Sequence, residues 1–273
     1  MSNNILILGN GFIGSNLYSY FSQYDNTIVT NRHTFDITRS ETYNNVPWSQ
    51  FNTIIYTIGI KDVPYCEKQP DIAFDINANY ISNIFSLINA QTKFIYISTD
   101  YVFDGISGNY KEDSETKPTT IYGCSKLKGE LISRQHDNYI VIRTSGVYGN
   151  GCMWLSKLLS SLDSSQKIEC YTNIYNTPTY AMNLAEMIKN LINEDFTGTI
   201  HLAGSSVVNR LDLYTTVATI FGRDTSILYG GQSTNNRFPN NLSLCNKKYA
   251  TLFNRSPDDI RTGLSRLKSN YAY

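Results

Sequence analysis

Ile5-Leu6-Ile7-Leu8-Gly9-Asn10-Gly11-Phe12-Ile13-Gly14 is the stretch that decides the fold. An unbroken apolar run of this length reads as a fully buried strand, and the glycines after it fit G-x-G-x-x-G where a helix should begin. Glycine permits the tight turn and lets backbone N–H groups at the helix start approach a pyrophosphate. Gly9, Gly11, Phe12, Ile13 and Gly14 are therefore candidate dinucleotide contacts, and a helix is expected from Gly14 to about Tyr24.

Working outward, short β-rich apolar runs alternate with longer amphipathic stretches, as in a parallel sheet wrapped by helices. Strands are expected at Thr27–Thr30, Thr53–Thr57, Phe94–Ser98 and Tyr139–Arg143, with helices at Pro70–Ala90 and Ser125–Gln135. The fold class is α/β, a doubly wound, Rossmann-like parallel sheet. After Arg143 the alternation fades: Gly146, Gly149 and Gly151 mark a loop into a Met153–Leu162 helix. A helix at Pro178–Ile192 and a strand at Thr199–Ala203 bring the chain back to the sheet. The expected division is thus a core of residues 1–145 and 178–204, with a smaller, discontinuous C-terminal substrate-binding lobe formed by 146–177 and 205–273.

Composition narrows the function. The 23 basic and 23 acidic residues cancel, with no run of like charge, so nucleic acid is not an expected partner. No apolar run reaches bilayer-spanning length, and the first residues lack the features of a signal peptide, so the expectation is a cytoplasmic protein without a membrane partner. Cys66, Cys124, Cys152, Cys170 and Cys245 are odd in number and lack Cys-x-x-Cys pairing, and His33, His136 and His201 lack metal-ligand spacing. Reduced thiols and no metal are expected.

At the end of the second strand, where NAD-binding enzymes carry an acid for the ribose 2′-hydroxyl, stands Asn31-Arg32-His33. Arg32 suits a 2′-phosphate through paired charge-assisted hydrogen bonds, which favours NADP(H). Further on, Tyr122-Gly-Cys-Ser-Lys126 sets a phenol and an ammonium at i and i+4, neighbours on one helix face. A nearby positive charge is expected to lower the phenol pKa from about 10 toward a range useful for proton transfer.

Ile95-Tyr-Ile-Ser-Thr99-Asp100-Tyr101-Val-Phe-Asp-Gly105 is the most specific string in the chain, and it resembles the signature of the extended short-chain dehydrogenase/reductases, closely that of the dTDP-4-dehydrorhamnose reductases. Phe35-Asp36-Ile37-Thr38 looks like that family's adenine-contacting segment. Val63-Pro-Tyr-Cys-Glu67, Ala73-Phe-Asp-Ile-Asn77, Arg143-Thr-Ser-Gly-Val-Tyr-Gly149, Pro178-Thr-Tyr-Ala, His201-Leu-Ala-Gly, Arg237-Phe-Pro and Leu242-Ser-Leu extend the likeness over most of the chain.

The resemblance implies that Thr99 hydrogen-bonds a substrate carbonyl, Tyr122 donates the proton, and Lys126 holds the cofactor ribose and tunes Tyr122. Asp36, Ile37, Thr57, Ile58, Gly59 and Asn77 join the expected NADP(H) contacts, while Val63, Asp100, Tyr101 and Arg237 are expected on the nucleotide-sugar side. The implied reaction is NADPH-dependent reduction of the 4-keto group of a nucleotide-linked 4-keto-6-deoxy sugar to a rhamnose-type product, and the family often pairs as homodimers. Two alternatives share the resemblance: an epimerase/reductase on another nucleotide sugar, and a non-catalytic NADP-binding subunit like the methionine adenosyltransferase β subunit. Three positions depart from the pattern: Leu8 stands where the first glycine is usual, Gly146 where tryptophan is common, and Asn176 where glycine is common.

Overall fold

Strand alternation builds the core before any helix is considered. In β1 (Asn4–Leu8), Ile5 and Ile7 face one side of the sheet and Leu6 and Leu8 the other, all essentially without solvent exposure. Burial on both faces is what a continuous apolar strand of a parallel sheet requires. The computed structural model describes residues 3–164, 166–234 and 239–270; Arg237 lies outside the described residues.

From β1 the chain runs through α1 (Phe12–Phe21), β2 (Asn26–Val29), β3 (Thr53–Tyr56), α2 (Val63–Lys68), α3 (Pro70–Phe74), α4 (Ile81–Phe85), β4 (Lys93–Thr99), α5 (Ile121–Ser133) and β5 (Tyr139–Thr144). It continues with α6 (Met153–Leu162), β6 (Ile168–Tyr171), β7 (Tyr175–Asn176), α7 (Ala181–Ile192), β8 (Gly198–His201), β9 (Val208–Asn209), α8 (Arg210–Phe221), β10 (Leu228–Gly231), α9 (Lys247–Phe253) and α10 (Ile260–Ser269). Six strands form a parallel sheet in the order β2-β1-β3-β4-β5-β8. The order reverses at β1, so a crevice opens there at the carboxyl ends of the strands. Leu17, Phe21, Leu184 and Ile188 cover one face, while Ile81 and Ile84 pack with Tyr56, Phe94 and Tyr96 on the other. A separate apolar cluster joins Leu155 and Leu158 of α6, Val217 and Phe221 of α8, and Leu264 and Leu267 of α10.

The long helix expected at Pro70–Ala90 is broken. Pro70 opens α3, a π-turn occupies Asp75–Asn79, and α4 ends at Phe85. The Tyr56 and Tyr96 hydroxyls, rising from the sheet, donate to the carbonyls of Ile76 and Asn77 at 2.8 and 2.7 Å. Carbonyls held from outside favour the wider π-turn over a regular helical ladder. The α5 helix begins earlier than its apolar pattern indicates, because Thr120 caps it by accepting the Gly123 N–H at 3.0 Å. Tyr122 consequently sits in the first turn. The α7 helix starts later than expected, at Ala181, because Thr179 donates its hydroxyl to the Ser145 carbonyl and keeps the chain extended.

His201 ends β8 with 0% exposure, and burial followed by the nearby Arg143 charge pushes its pKa down to about 3. The imidazole is thus held neutral in the folded chain. A depressed histidine stabilises fully above its unfolded value of 6.5, and that contribution is lost as pH falls from there toward 3. Between pH 7 and 5 this single group should remove about 2 kcal/mol of unfolding free energy, at roughly 1.4 kcal/mol per pH unit and proton. Urea titrations at both pH values should show a smaller loss for His201→Gln; equal losses would remove His201 from the acid transition.

Candidate active site

The turn after β1 is possible only with glycine. Gly9 has φ +102°, and a Cβ at Gly14 would run into the Gly9 carbonyl oxygen. Hydroxyls fasten the turn to neighbouring strands: Thr30 Oγ1 accepts from Gly9 N at 3.1 Å, and Thr57 Oγ1 donates to the carbonyls of Leu8 and Gly9 at 2.9 Å each. Gly11 caps α1 without a side-chain hydrogen bond, and the first turn carries no acid. The first N–H groups of a helix have no partner within it, so this end suits an anion.

A cavity of about 480 Å³ opens beside this turn, lined by Gly9, Gly11, Arg32, Asp36, Ile37, Thr57, Ile58 and Gly59. Arg32 is exposed at its edge, on a turn closed by Asn31 Oδ1, which accepts from His33 N and Thr34 N at 2.9 and 3.1 Å. Asp36 shares the cavity, and the Thr38 N–H holds its carboxyl below the usual range, helped by the Thr38 hydroxyl, Arg39 and Arg32. Phe12 and Ile13 line a second cavity of about 380 Å³ with Val63, Thr99, Asp100, Tyr101, Tyr122 and Lys126. Gly11, Thr57, Ile58, Gly59 and Ile60 line both cavities, which form one continuous cleft across the strand ends. Glycine turn, helix start and Arg32 together fit a dinucleotide with phosphate at its ribose.

Asn77, expected as a cofactor contact, is fully buried, and its carboxamide is engaged within the fold. Oδ1 accepts from Ile60 N at 2.7 Å, while Nδ2 donates to Ile60 O at 3.1 Å and to Ser125 Oγ at 2.8 Å. It fixes the 58–60 wall of the cleft against α5 rather than lining the cleft itself.

Thr99 closes β4 and Tyr122 and Lys126 rise from α5, so sheet and helix together converge these side chains. The Tyr122 ring meets Tyr101 edge to face at 5.5 Å. The expected lowering of the Tyr122 pKa is not what the structure shows. Burial pushes the phenol well up, Thr99 opposes this through a hydrogen bond, and Asp100 adds to the rise. Lys126 is turned instead toward β4, donating to Ile97 O at 2.7 Å with Nζ 4.0 Å from the Tyr96 ring centroid. Burial lowers its own pKa to about 7, against the opposing charge of Glu130.

Two neighbours lie in strings that carry the resemblance, yet sequence reading assigned neither a role at the site. Ser145, just past β5, donates to Asp100 Oδ2 at 2.6 Å, and Glu67 accepts the Ile121 N–H at 2.8 Å, tying the Val63 helix to the start of α5. Both depend on segments distant in sequence, so no local spacing reveals them.

The family described as RmlD substrate binding domain matches residues 3–272. The chain is 33% identical over 185 residues to the spore coat polysaccharide biosynthesis protein SpsK of Bacillus subtilis, covering 66% of this chain and 64% of that protein. It is 29% identical to the probable low-salt glycan biosynthesis reductase Agl14 of Haloferax volcanii, over 64% of this chain and 61% of that one. The matches thus span less than two thirds of those relatives' lengths. Among solved structures, dTDP-4-dehydrorhamnose reductase of Bacillus anthracis in complex with NADP superposes with a TM-score of 0.92 over 99% of this chain and 100% of that one, at 23% identity. Such identity speaks to the fold. With the match running over nearly the whole sequence, the chain belongs to the RmlD substrate binding domain family.

Proposed function

We propose that this protein is an NADPH-dependent sugar-nucleotide reductase that reduces the 4-keto group of a nucleotide-linked 4-keto-6-deoxy sugar to a rhamnose-type product. The observation that carries the reading is the meeting of Thr99, Tyr122 and Lys126 in one cleft with the glycine turn. The relatives' names support the class of reaction, and the NADP-bound neighbour supports the cofactor.

When bound, NADPH supplies the hydride. The chain supplies positioning and a proton. Thr99 hydrogen-bonds the ketone oxygen, and Tyr122, kept protonated by burial, delivers its phenolic proton as charge develops there. Lys126 Nζ lies near Gly59, 3.9 Å from where a Cβ would stand, within reach of a ribose on the cleft wall. Val63 and Tyr101 bound the substrate side, and residues 146–177 and 205–273 supply the substrate lobe, with Arg237 the proposed diphosphate partner.

The test is NADPH oxidation across dTDP-, UDP- and GDP-linked 4-keto-6-deoxy sugars. Turnover with at least one is expected; none with any would reject the reading. Arg32→Ala should weaken NADPH binding by about 1.5–3 kcal/mol, roughly ten- to a hundredfold, while leaving NADH nearly unchanged. Fluorescence titration of both cofactors checks this, and an unaltered preference would remove Arg32 from the argument.

A further inference from the structure

Asp100 has no part in the reduction just described, yet it lies at the centre of the site with 4% exposure. Its Oδ1 accepts the Thr99 hydroxyl at 3.0 Å, and its Oδ2 accepts the Ser145 hydroxyl at 2.6 Å. Ser145 Oγ in turn accepts the Thr177 N–H at 3.3 Å, so its own hydrogen points at Oδ2. That oxygen is a fixed acceptor, and a proton on Asp100 belongs on Oδ1, facing Thr99.

A hydroxyl has one hydrogen to give. While Asp100 is a carboxylate, it accepts only, and the Thr99 hydrogen stays on Oδ1. Thr99 then meets the Tyr101 N–H, 3.3 Å away, with a lone pair and has no hydrogen left for the cleft. A protonated Asp100 donates to Thr99 Oγ1 instead and frees the Thr99 hydrogen for an oxygen in the cleft. We propose that Asp100 is a positioning residue whose protonation turns Thr99 from acceptor to donor toward the substrate ketone, so that reduction runs through the neutral carboxyl. This rests on the ketone-reductase reading above.

Burial pushes the Asp100 carboxyl up to about 6 against the hydrogen bonds from Ser145 and Thr99, which brings the change into the working range of pH. The groups around it leave that window largely to Asp100. Tyr101, on the turn after β4, is pushed up to about 12, with Arg210 of α8 opposing the rise. Tyr122 of α5 is raised further, and Cys66 of α2, which acts on Tyr122, is raised as well. Lys126 of α5, lowered to about 7, directs its ammonium to Ile97 rather than to Asp100. Ser145 and Thr177, on the β5–β7 side, carry no charge.

The experiment has two arms on the full chain. In carbon-13 aspartate-labelled protein without ligand, one carboxyl resonance, missing in Asp100→Asn, should titrate near pH 6, and its midpoint should rise in Ser145→Ala and Thr99→Val. A midpoint near the ordinary 3.8 overturns the coupling. In NADPH oxidation with the best 4-keto sugar nucleotide, kcat/KM should fall by up to about tenfold per pH unit above the Asp100 midpoint, as the neutral fraction falls. Asp100→Asn, whose amide donates to Thr99 at every pH, should lose that fall and keep only the limb from Lys126. Identical profiles in the two proteins overturn the proposal. Absence of turnover with every sugar rejects the ketone reading, and the carboxyl titration judges the Thr99–Asp100 coupling separately.

Discussion

Tyr122→Phe is expected to bind NADPH like the unsubstituted protein and to reduce the proposed 4-keto sugar nucleotide at least about a hundredfold, and up to about ten-thousandfold, more slowly, the usual range for a lost general acid. The ring stays, so its edge-to-face packing on Tyr101 at 5.5 Å and the cleft wall persist. What disappears is the proton that burial keeps on the phenol and the hydroxyl that meets Thr99. The loss should appear in kcat and kcat/KM alike, because the interaction matters as charge develops on the ketone oxygen. Rapid-mixing single turnovers separate chemistry from product release. Near-normal turnover would assign the proton to another group.

The second large effect is on stability. Glu130 of α5 and Arg143 of β5 form a buried pair: Nε to Oε1 at 2.9 Å and Nη2 to Oε2 at 2.8 Å, with side-chain exposures of 0% and 2%. Ser98, the residue before Thr99, donates to the same Oε1 at 2.6 Å, and the Phe103 ring lies 5.0 Å from the guanidinium. The pair thus joins the helix bearing Tyr122 and Lys126 to the strand ends beneath them. Removing one partner strands the other charge without water, which costs about 3–5 kcal/mol. Glu130→Ala should lose that much in urea unfolding, and Glu130→Leu combined with Arg143→Met should lose less, since no lone charge remains. A loss for Glu130→Ala within about 1 kcal/mol of zero would mean that water or the Glu112 carbonyl, which accepts from Arg143 Nη1 at 3.3 Å, compensates the stranded guanidinium.

Part of the site's geometry is legible in the sequence because it is local. The glycine turn requires glycine through its own backbone geometry, and Tyr122 and Lys126 share a helix face through spacing alone. Asn77 shows where local reading ends: the family-like string contains it, yet its carboxamide is held by Ile60 and by Ser125, 48 residues further along the chain. The broken helix at Asp75–Asn79 has the same origin, since Tyr56 and Tyr96 hydroxyls arrive from strands that no window around the helix contains.

The sequence by itself determined the parallel sheet, the dinucleotide turn and the residue types of the cleft, because buried strands need continuous apolar runs and a tight turn needs glycine. Only the tertiary structure decided the charge states. Lys126 turns to Ile97 instead of Tyr122, the phenol rises rather than falls, and Asp100 is held between Thr99 and Ser145. Spacing along a helix fixes which side chains are neighbours, but desolvation and hydrogen-bond partners fix where a proton rests, and both come from segments that meet only when the chain is folded.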